Sequence, residues 1–215
     1  ADWATGVYSL VSCPAGYQLI GMDSEQGIAT LQECKPCTDG LEYIVDPNKD
    51  QCTTCPRGAA CDGSALVGLV EGSVWKADEA EGIYRLMSCP AGHQLVNSTT
   101  GSSEGEFSHD GQMCRRCTDG LQYILSDRHT CQDCPKGASC DGSALVGLVN
   151  GSDWEADWAT GVFFLESCPA GHQLIGMNSG QGIATLQECK PCTDGLEYIV
   201  DPNKDQCTTC PRGAA

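Results

Sequence analysis

The sequence is short of what an ordinary globular core is made from. Three phenylalanines, four tryptophans and six tyrosines in 215 residues are too few to fill a core of that size. No apolar run approaches the ~18 residues needed to cross a bilayer, so this segment is not expected to insert in a membrane. Basic residues are scarce, 12 Lys and Arg against 29 Asp and Glu, and the net charge of −17 repels nucleic acid and anionic lipid. Residues 1–10, ADWATGVYSL, lack a basic stretch followed by an apolar one, so they do not read as a signal peptide. Twenty-six glycines and ten prolines leave little room for long helices.

What the chain has instead is cysteine and repetition. Residues 1–76 (module A) and 77–155 (module B) are two versions of one unit: ADWATGVYSLVSCPAG answers ADEAEGIYRLMSCPAG, and CDGSALVGLVEGSVWK answers CDGSALVGLVNGSDWE. Residues 156–215 restart A, differing from residues 1–60 at six positions, so the true period is an A–B pair of 155 residues. The expectation is an excerpt of a longer tandem array, its second A copy truncated.

Within each module a smaller unit recurs, opening Cys-x-x-Gly: CPAGYQLI from Cys13, CTDGLEYI from Cys37, CPRGAA from Cys55. Glycine there suits a turn of positive φ. In the first two, alternating β-branched and aromatic residues follow as in a short strand, and a polar turn such as DPNKD at 46–50 leads to the closing cysteine. The fold class expected is small, disulfide-rich and mostly β, a tandem array of short hairpins and loops with little helix. The cysteine-free stretch SALVGLVEGSVW at 64–75 reads as strand packing on Tyr84 and Leu86. Trp75 then lies at the joint between modules, with Trp3, Trp154 and Trp158 in related places.

Cys34-x-x-Cys37 and Cys52-x-x-Cys55 have a spacing that a zinc ribbon can use. Each complete module, however, has six cysteines with no histidine in register, and a four-ligand site would leave Cys13 and Cys61 over. Disulfides are therefore expected among Cys13, Cys34, Cys37, Cys52, Cys55 and Cys61, and among Cys89, Cys114, Cys117, Cys131, Cys134 and Cys140. The same holds for Cys168, Cys189, Cys192 and Cys207, with Cys210 left over. Six cysteines allow fifteen pairings. The nested unit suggests sequential closure, and an interlaced order stays open for the last four of each module. A thioredoxin-type reading of CKPC, CRRC and CQDC lacks its βαβ context.

The Cys-x-x-Gly openings, Cys-x-x-Cys junctions and CPRGAACDG resemble ephrin-receptor-like and TNF-receptor-like cysteine-rich repeats. They are also similar to EGF-like and related repeats of large protist surface proteins, including those of flagellar hairs (mastigonemes), although the Cys-x-Cys of an EGF module is missing. The resemblance spans all three modules and implies an extracellular rod or stalk of short β-hairpins, with no particular ligand.

Other candidates are few. Asp46, Asn48 and Asp50, repeated at 201, 203 and 205, have the spacing that opens a calcium loop. Gln51 stands where glycine is required and module B loses the pattern, so a plain turn is favoured, with no metal and no cofactor. His93 and His172 replace Tyr17, and His109 and His129 have no counterpart in A. No nucleophile–base set recurs, so no catalytic residue and no enzyme is expected. Asn97-Ser-Thr and Asn150-Gly-Ser are glycosylation acceptors of a secreted chain. The loop that Asn97 begins is expanded in B, is expected to be exposed, and offers Ser98, Thr99, Thr100, Ser102 and Ser103 to O-linked sugar. The function expected is a glycosylated structural repeat of an extracellular filament or surface fibre, its partners neighbouring repeats or copies of itself. The alternatives are the stalk of a cell-surface receptor or adhesin, and a calcium-dependent binding module.

Overall fold

A computed structural model describes residues 10–21, 32–99, 105–176 and 186–212. In these stretches the chain is a series of two-stranded antiparallel ribbons. In module A, β1 (Tyr17–Ile20) pairs with β2 (Glu33–Pro36), β3 (Glu42–Tyr43) with β4 (Thr53–Thr54), and β5 (Ala59–Cys61) with β6 (Leu66–Gly68). A fourth ribbon without cysteine, β7 (Val74–Asp78) with β8 (Ile83–Ser88), carries the chain into module B. There β9 (His93–Val96) pairs with β10 (Met113–Arg116), β11 (Gln122–Tyr123) with β12 (Gln132–Asp133), and β13 (Ala138–Cys140) with β14 (Leu145–Gly147). The cysteine-free ribbon of β15 (Asp153–Asp157) and β16 (Val162–Ser167) follows. The second A copy supplies β17 (His172–Ile175) with β18 (Glu188–Pro191), and β19 (Glu197–Tyr198) with β20 (Thr208–Thr209).

Ribbons of two to four residues per strand are not stable alone in water. Here cross-links close them, and the closure is sequential: Cys13–Cys34, Cys37–Cys52 and Cys55–Cys61 in A. Module B has Cys89–Cys114, Cys117–Cys131 and Cys134–Cys140, and the second A copy Cys168–Cys189 and Cys192–Cys207. Cys210 is unbridged and half-buried. Backbone hydrogen bonds then tie the loops of one module together. The N–H of Cys37 donates to Gly16, that of Gly40 to Cys61 and that of Gly63 to Glu42. The same three bonds recur in B as Cys117 to Gly92, Gly120 to Cys140 and Gly142 to Gln122.

The chain divides into two compact units, Ala1–Pro90 with Leu95–Cys114, and Ala91–Gln94 with Arg115–Ala215. Each contains one complete joint, A to B in the first and B to A in the second. The repeat boundaries at 76/77 and 155/156 fall inside β7 and β15, so each linking ribbon is begun by one module and finished by the next. Trp75 lies opposite Leu86 across the first linking ribbon, and Trp154 opposite Leu165 across the second. Trp158 instead sits in the turn between β15 and β16, 65 % exposed, because the turn lies beyond the packed part of the ribbon. Trp3 lies outside the described residues.

The glycines of the nested unit divide by cause. Gly16 (φ 80°) and Gly40 (φ 77°), which open the first two loops, take the left-handed turn that favours glycine. Gly58, in the third opening, has no positive φ. A Cβ there would lie 2.5 Å from the Cα of Met113 and 2.7 Å from the carbonyl oxygen of Gln112, both in the next module. The expectation of a positive φ at every Cys-x-x-Gly is thus corrected for the third: its glycine permits close backbone approach.

Candidate functional site at the module joints

The first joint is assembled on β8. Its ladder to β7 uses one edge, and the N–H of Leu86 and the C=O of Tyr84 remain to be satisfied on the other. The side chain of Gln112, fully buried at the end of the Cys89–Cys114 loop, meets both. Its Oε1 accepts from Leu86 N–H at 2.8 Å, and its Nε2 donates to Tyr84 O at 2.9 Å and His109 O at 3.2 Å. A primary amide presents the same donor and acceptor pair as a peptide, so Gln112 acts as one residue of a third strand. Its own backbone carbonyl accepts from Gly58 N–H at 2.8 Å, and Asp110 O accepts from Arg57 N–H at 3.1 Å. Glycine is needed at 58 because these two backbones touch.

Tyr43 on β3 closes the other side. It is fully buried, its ring meets Tyr84 edge-on at 5.2 Å between centroids, and its hydroxyl oxygen accepts from Tyr84 N–H at 3.0 Å. Burial pushes the Tyr43 phenol up to about 12, so it stays protonated. His109 caps the arrangement, with Nε2 2.9 Å from Thr54 O and 3.3 Å from the Tyr43 hydroxyl.

The second joint repeats the clamp with other residues. Gln187 Oε1 accepts from Leu165 N–H at 2.6 Å and Nε2 donates to Phe163 O at 3.2 Å. Tyr123, also fully buried, accepts from Phe163 N–H at 3.0 Å, and its phenol is likewise raised by burial. Gly137 donates to Gln187 O at 2.9 Å, and a Cβ on it would lie 2.6 Å from the Cα of Glu188. Leu165, Cys168 and Cys189 form the small core beneath, with Val149, Trp154 and Leu174 packed on it. In the first A copy Gln32 Oε1 accepts from Leu10 N–H at 2.6 Å, the same bond a third time.

The clamp contains no nucleophile beside a base; what it does is hold two backbones together. Tyr43 and Tyr123 fall within the recurring CTDGL-x-YI stretch and His109 stood out as having no counterpart in A, but none of them, nor Gln112 or Gln187, is marked by the sequence as a joint residue. The signal available was a glutamine two residues before the second cysteine of every copy. The loop that ends in it was expected to be exposed throughout. Its last residues correct this: Gln112 is wholly buried, and Ser98 at its start is 4 % exposed, bridged to Phe107. Thr99 is exposed, and Thr100, Ser102 and Ser103 lie outside the described residues.

The structure engages the calcium candidates with the backbone. Asp46 Oδ1 accepts from Asn48 N–H at 2.9 Å, and Asp50 Oδ2 accepts from Asp46 N–H at 2.8 Å. Asn48 Oδ1 accepts from Cys13 N–H at 2.9 Å, pinning the turn to the start of the first loop. The Asn48 N–H bond, then the Lys49 ammonium 3.0 Å away, holds the Asp46 carboxyl below its usual range. Asn203 repeats the anchor on Cys168 N–H at 3.0 Å. Among the described residues no three His, Cys, Asp or Glu side chains converge in a metal-holding group. Asn150 is exposed on the turn between β14 and β15, whereas Asn97 is half-buried. His93 and His172 each place Nδ1 near the carbonyl oxygen two residues earlier, Ala91 and Ala170.

No family model matches the chain, and none of the curated proteins does. The class rests on the structure itself: tandem cysteine-rich repeats of short β-ribbons, closed by eight disulfides among the described residues. Cross-linking this dense belongs to a chain that folds in an oxidising, secretory or extracellular compartment. No helix of the described residues is long and apolar enough to cross a membrane.

Proposed function

We propose that this chain is a structural repeat of an extracellular filament or surface fibre, glycosylated at Asn97 and Asn150 and without catalytic activity. The observation that carries the reading is the duplicated clamp. Consecutive modules are joined by backbone contact at Gly58 and Gly137, with Gln112 and Gln187 completing the edge of the linking ribbon. A flexible stalk needs only a linker between its modules. Here the linker is a ribbon held from both sides. Repeat arrays transmit load through nearest-neighbour contacts, and heterologous contacts that do not close generate filaments. Disulfide-closed loops resist extension and proteolysis, and glycan with an acidic surface would keep fibres apart in water. Its partners are accordingly neighbouring repeats and copies of the same chain, not nucleic acid or membrane.

Electron microscopy of the native, unreduced material tests this. Long uniform fibres with an axial repeat matching one A–B pair are expected. Flexible strings ending in a globular head would replace this reading with a receptor or adhesin stalk. Unchanged mass after glycosidase treatment would remove the glycan from it.

A further inference from the structure

Sequential closure has a mechanical consequence. Because no disulfide spans another, a pull along the chain passes through each cross-link and bypasses the loop that it closes. Between successive cross-links of one module only two residues carry the load: Lys35 and Pro36, Thr53 and Thr54, Arg115 and Arg116, Gln132 and Asp133. All of these lie in strands and are already extended. Between modules the case is different. Residues 62–88 and 141–167 join one cross-linked loop to the next with no bridge of their own, and each of these linkers is 27 residues long.

The clamp divides along the same line. Tyr43, Gly58 and Gln112 lie inside bypassed loops, as do Tyr123, Gly137 and Gln187. The groups that the tyrosines and glutamines hold, on Tyr84 and Leu86 and on Phe163 and Leu165, belong to the linkers. The bonds from Gly58 N–H to Gln112 O and from Arg57 N–H to Asp110 O join loop to loop directly, past the whole first linker. While they hold, the linker carries no tension. Once they break, the ribbon is loaded at Val74 and Ser88, which face each other at one end, so its ladder unzips bond by bond. Asp153 and Ser167 stand in the same relation in the second.

We propose that each joint is a reserve of length released by tension: the clamp sets the force at which it opens, and the cysteines at the two ends of the linker set how far it extends. With the clamp closed, Cys61 and Cys89 stand at most about 25 Å apart, because Gly58 touches Met113 and the Cα atoms of Cys89 and Cys114 are 5.6 Å apart. Drawn out, the linker between them spans about 95 Å, a gain of at least about 70 Å. In the second joint Gly137 touches Glu188 and Cys168 lies 5.5 Å from Cys189, so the gain is the same. None of the ten prolines and none of the 17 cysteines falls in either linker, so neither prolyl isomerisation nor disulfide exchange delays its return. The loops that carry the clamp residues stay closed throughout, and a relaxed linker meets a preformed seat. This holds for a fibre and for a stalk alike.

Pulling the oxidised 215-residue chain by its two ends in an optical trap is the test. Two steps of equal contour length are expected, each at least about 70 Å. They should reverse on relaxation faster than the tens of seconds of prolyl isomerisation. Gln112→Ala should shorten the lifetime of one closed joint at constant force by about tenfold or more and leave the length of its step unchanged. Full reduction should lengthen the total extension, because the loops are then no longer bypassed. Extension without steps, steps of unequal length, a Gln112→Ala step of altered length, or a total extension indifferent to reduction overturns the proposal. Microscopy of the native material decides the fibre reading separately, so either can fail while the other stands.

Discussion

Replacing Gln112 by alanine should open the first joint while leaving both of its modules folded. The side chain satisfies Leu86 N–H and Tyr84 C=O on the edge of β8 turned away from β7. A buried amide group left unpaired costs about 1–3 kcal/mol, so losing both amounts to about 3 kcal/mol once water relieves part of the penalty. That corresponds to roughly a 150-fold rise in the open population of the joint. Global unfolding is the wrong readout, because eight disulfides hold the loops whatever the joint does. Native-state hydrogen exchange reads it directly. The amide of Leu86 should lose about two orders of magnitude of protection. The amide of Cys37, bonded to Gly16 within module A, should keep its own. Gln112→Glu is the sharper control: it keeps the acceptor for Leu86 N–H but turns an oxygen toward Tyr84 O and His109 O. It should open the joint when ionised and close it again when protonated. If Leu86 stays protected to within about threefold in Gln112→Ala, the glutamine does not hold the joint.

Gly58→Ala should separate modules as severely, since its Cβ would meet backbone at 2.5 Å, whereas Gly40→Ala, with open space and a φ of 77°, should cost only about 1 kcal/mol of local strain. Comparing the exchange rates of the two variants distinguishes close approach from turn geometry. Reduction should collapse the chain, because a loop of 15 residues such as Cys37–Cys52 contributes roughly 3 kcal/mol in the chain-entropy model; circular dichroism that survives full reduction would contradict this. The carboxyls of Asp46 and Asp62 are held low first by the N–H groups of Asn48 and Ser64. A depressed carboxyl stabilises above its unfolded pKa, near about 4, and the contribution is lost as pH falls through the folded value. The Asn48 and Ser64 amides should therefore shift in NMR spectra below about pH 4, and amides that stay fixed down to about pH 2 would refute the assignment.

The parts of this fold that could be read from sequence are those set by local chemistry. Cys-x-x-Gly followed by alternating residues and a DPNKD turn specifies a cysteine-closed hairpin within one short window. That residues 64–75 pack toward Tyr84 and Leu86, with Trp75 at the joint, followed from strand pattern; the pairing of Trp75 with Leu86 is set by the register of the ribbon. The clamp was not legible because it is made of residues far apart in sequence whose types are common at surfaces. Gln112 lies 26 residues from Leu86 and ends a polar loop, and composition gives no hint that its amide substitutes for a strand. Gly58 misled for a related reason: it shares a motif with Gly16 and Gly40, but its demand comes from another module. Asn48 was weighed as a metal ligand because oxygen spacing is the same for a cation and for a string of N–H donors. The donor, Cys13 N–H, is 35 residues away.

The two joints also account for a sequence period of two modules instead of one. The bonds from Tyr43, Gln112 and Gly58 recur at Tyr123, Gln187 and Gly137, yet the surroundings are exchanged. Gly82 rests on the carboxylate of Asp50, Gly161 on the ring of His129. The first joint has Arg57 and Met113 at the positions of Lys136 and Glu188, which form an ion pair at 2.8 Å in the second. The longer Cys89–Cys114 loop, with a separation of 25 against 21 for Cys168–Cys189, contributes His109 and Phe107 to the first joint alone. A clamp made of backbone and primary amides does not depend on the charge of its neighbours. Side chains around it are then free to alternate in sign and in polarity without altering the bonds that join the modules. An array built this way keeps one kind of link while presenting two kinds of surface.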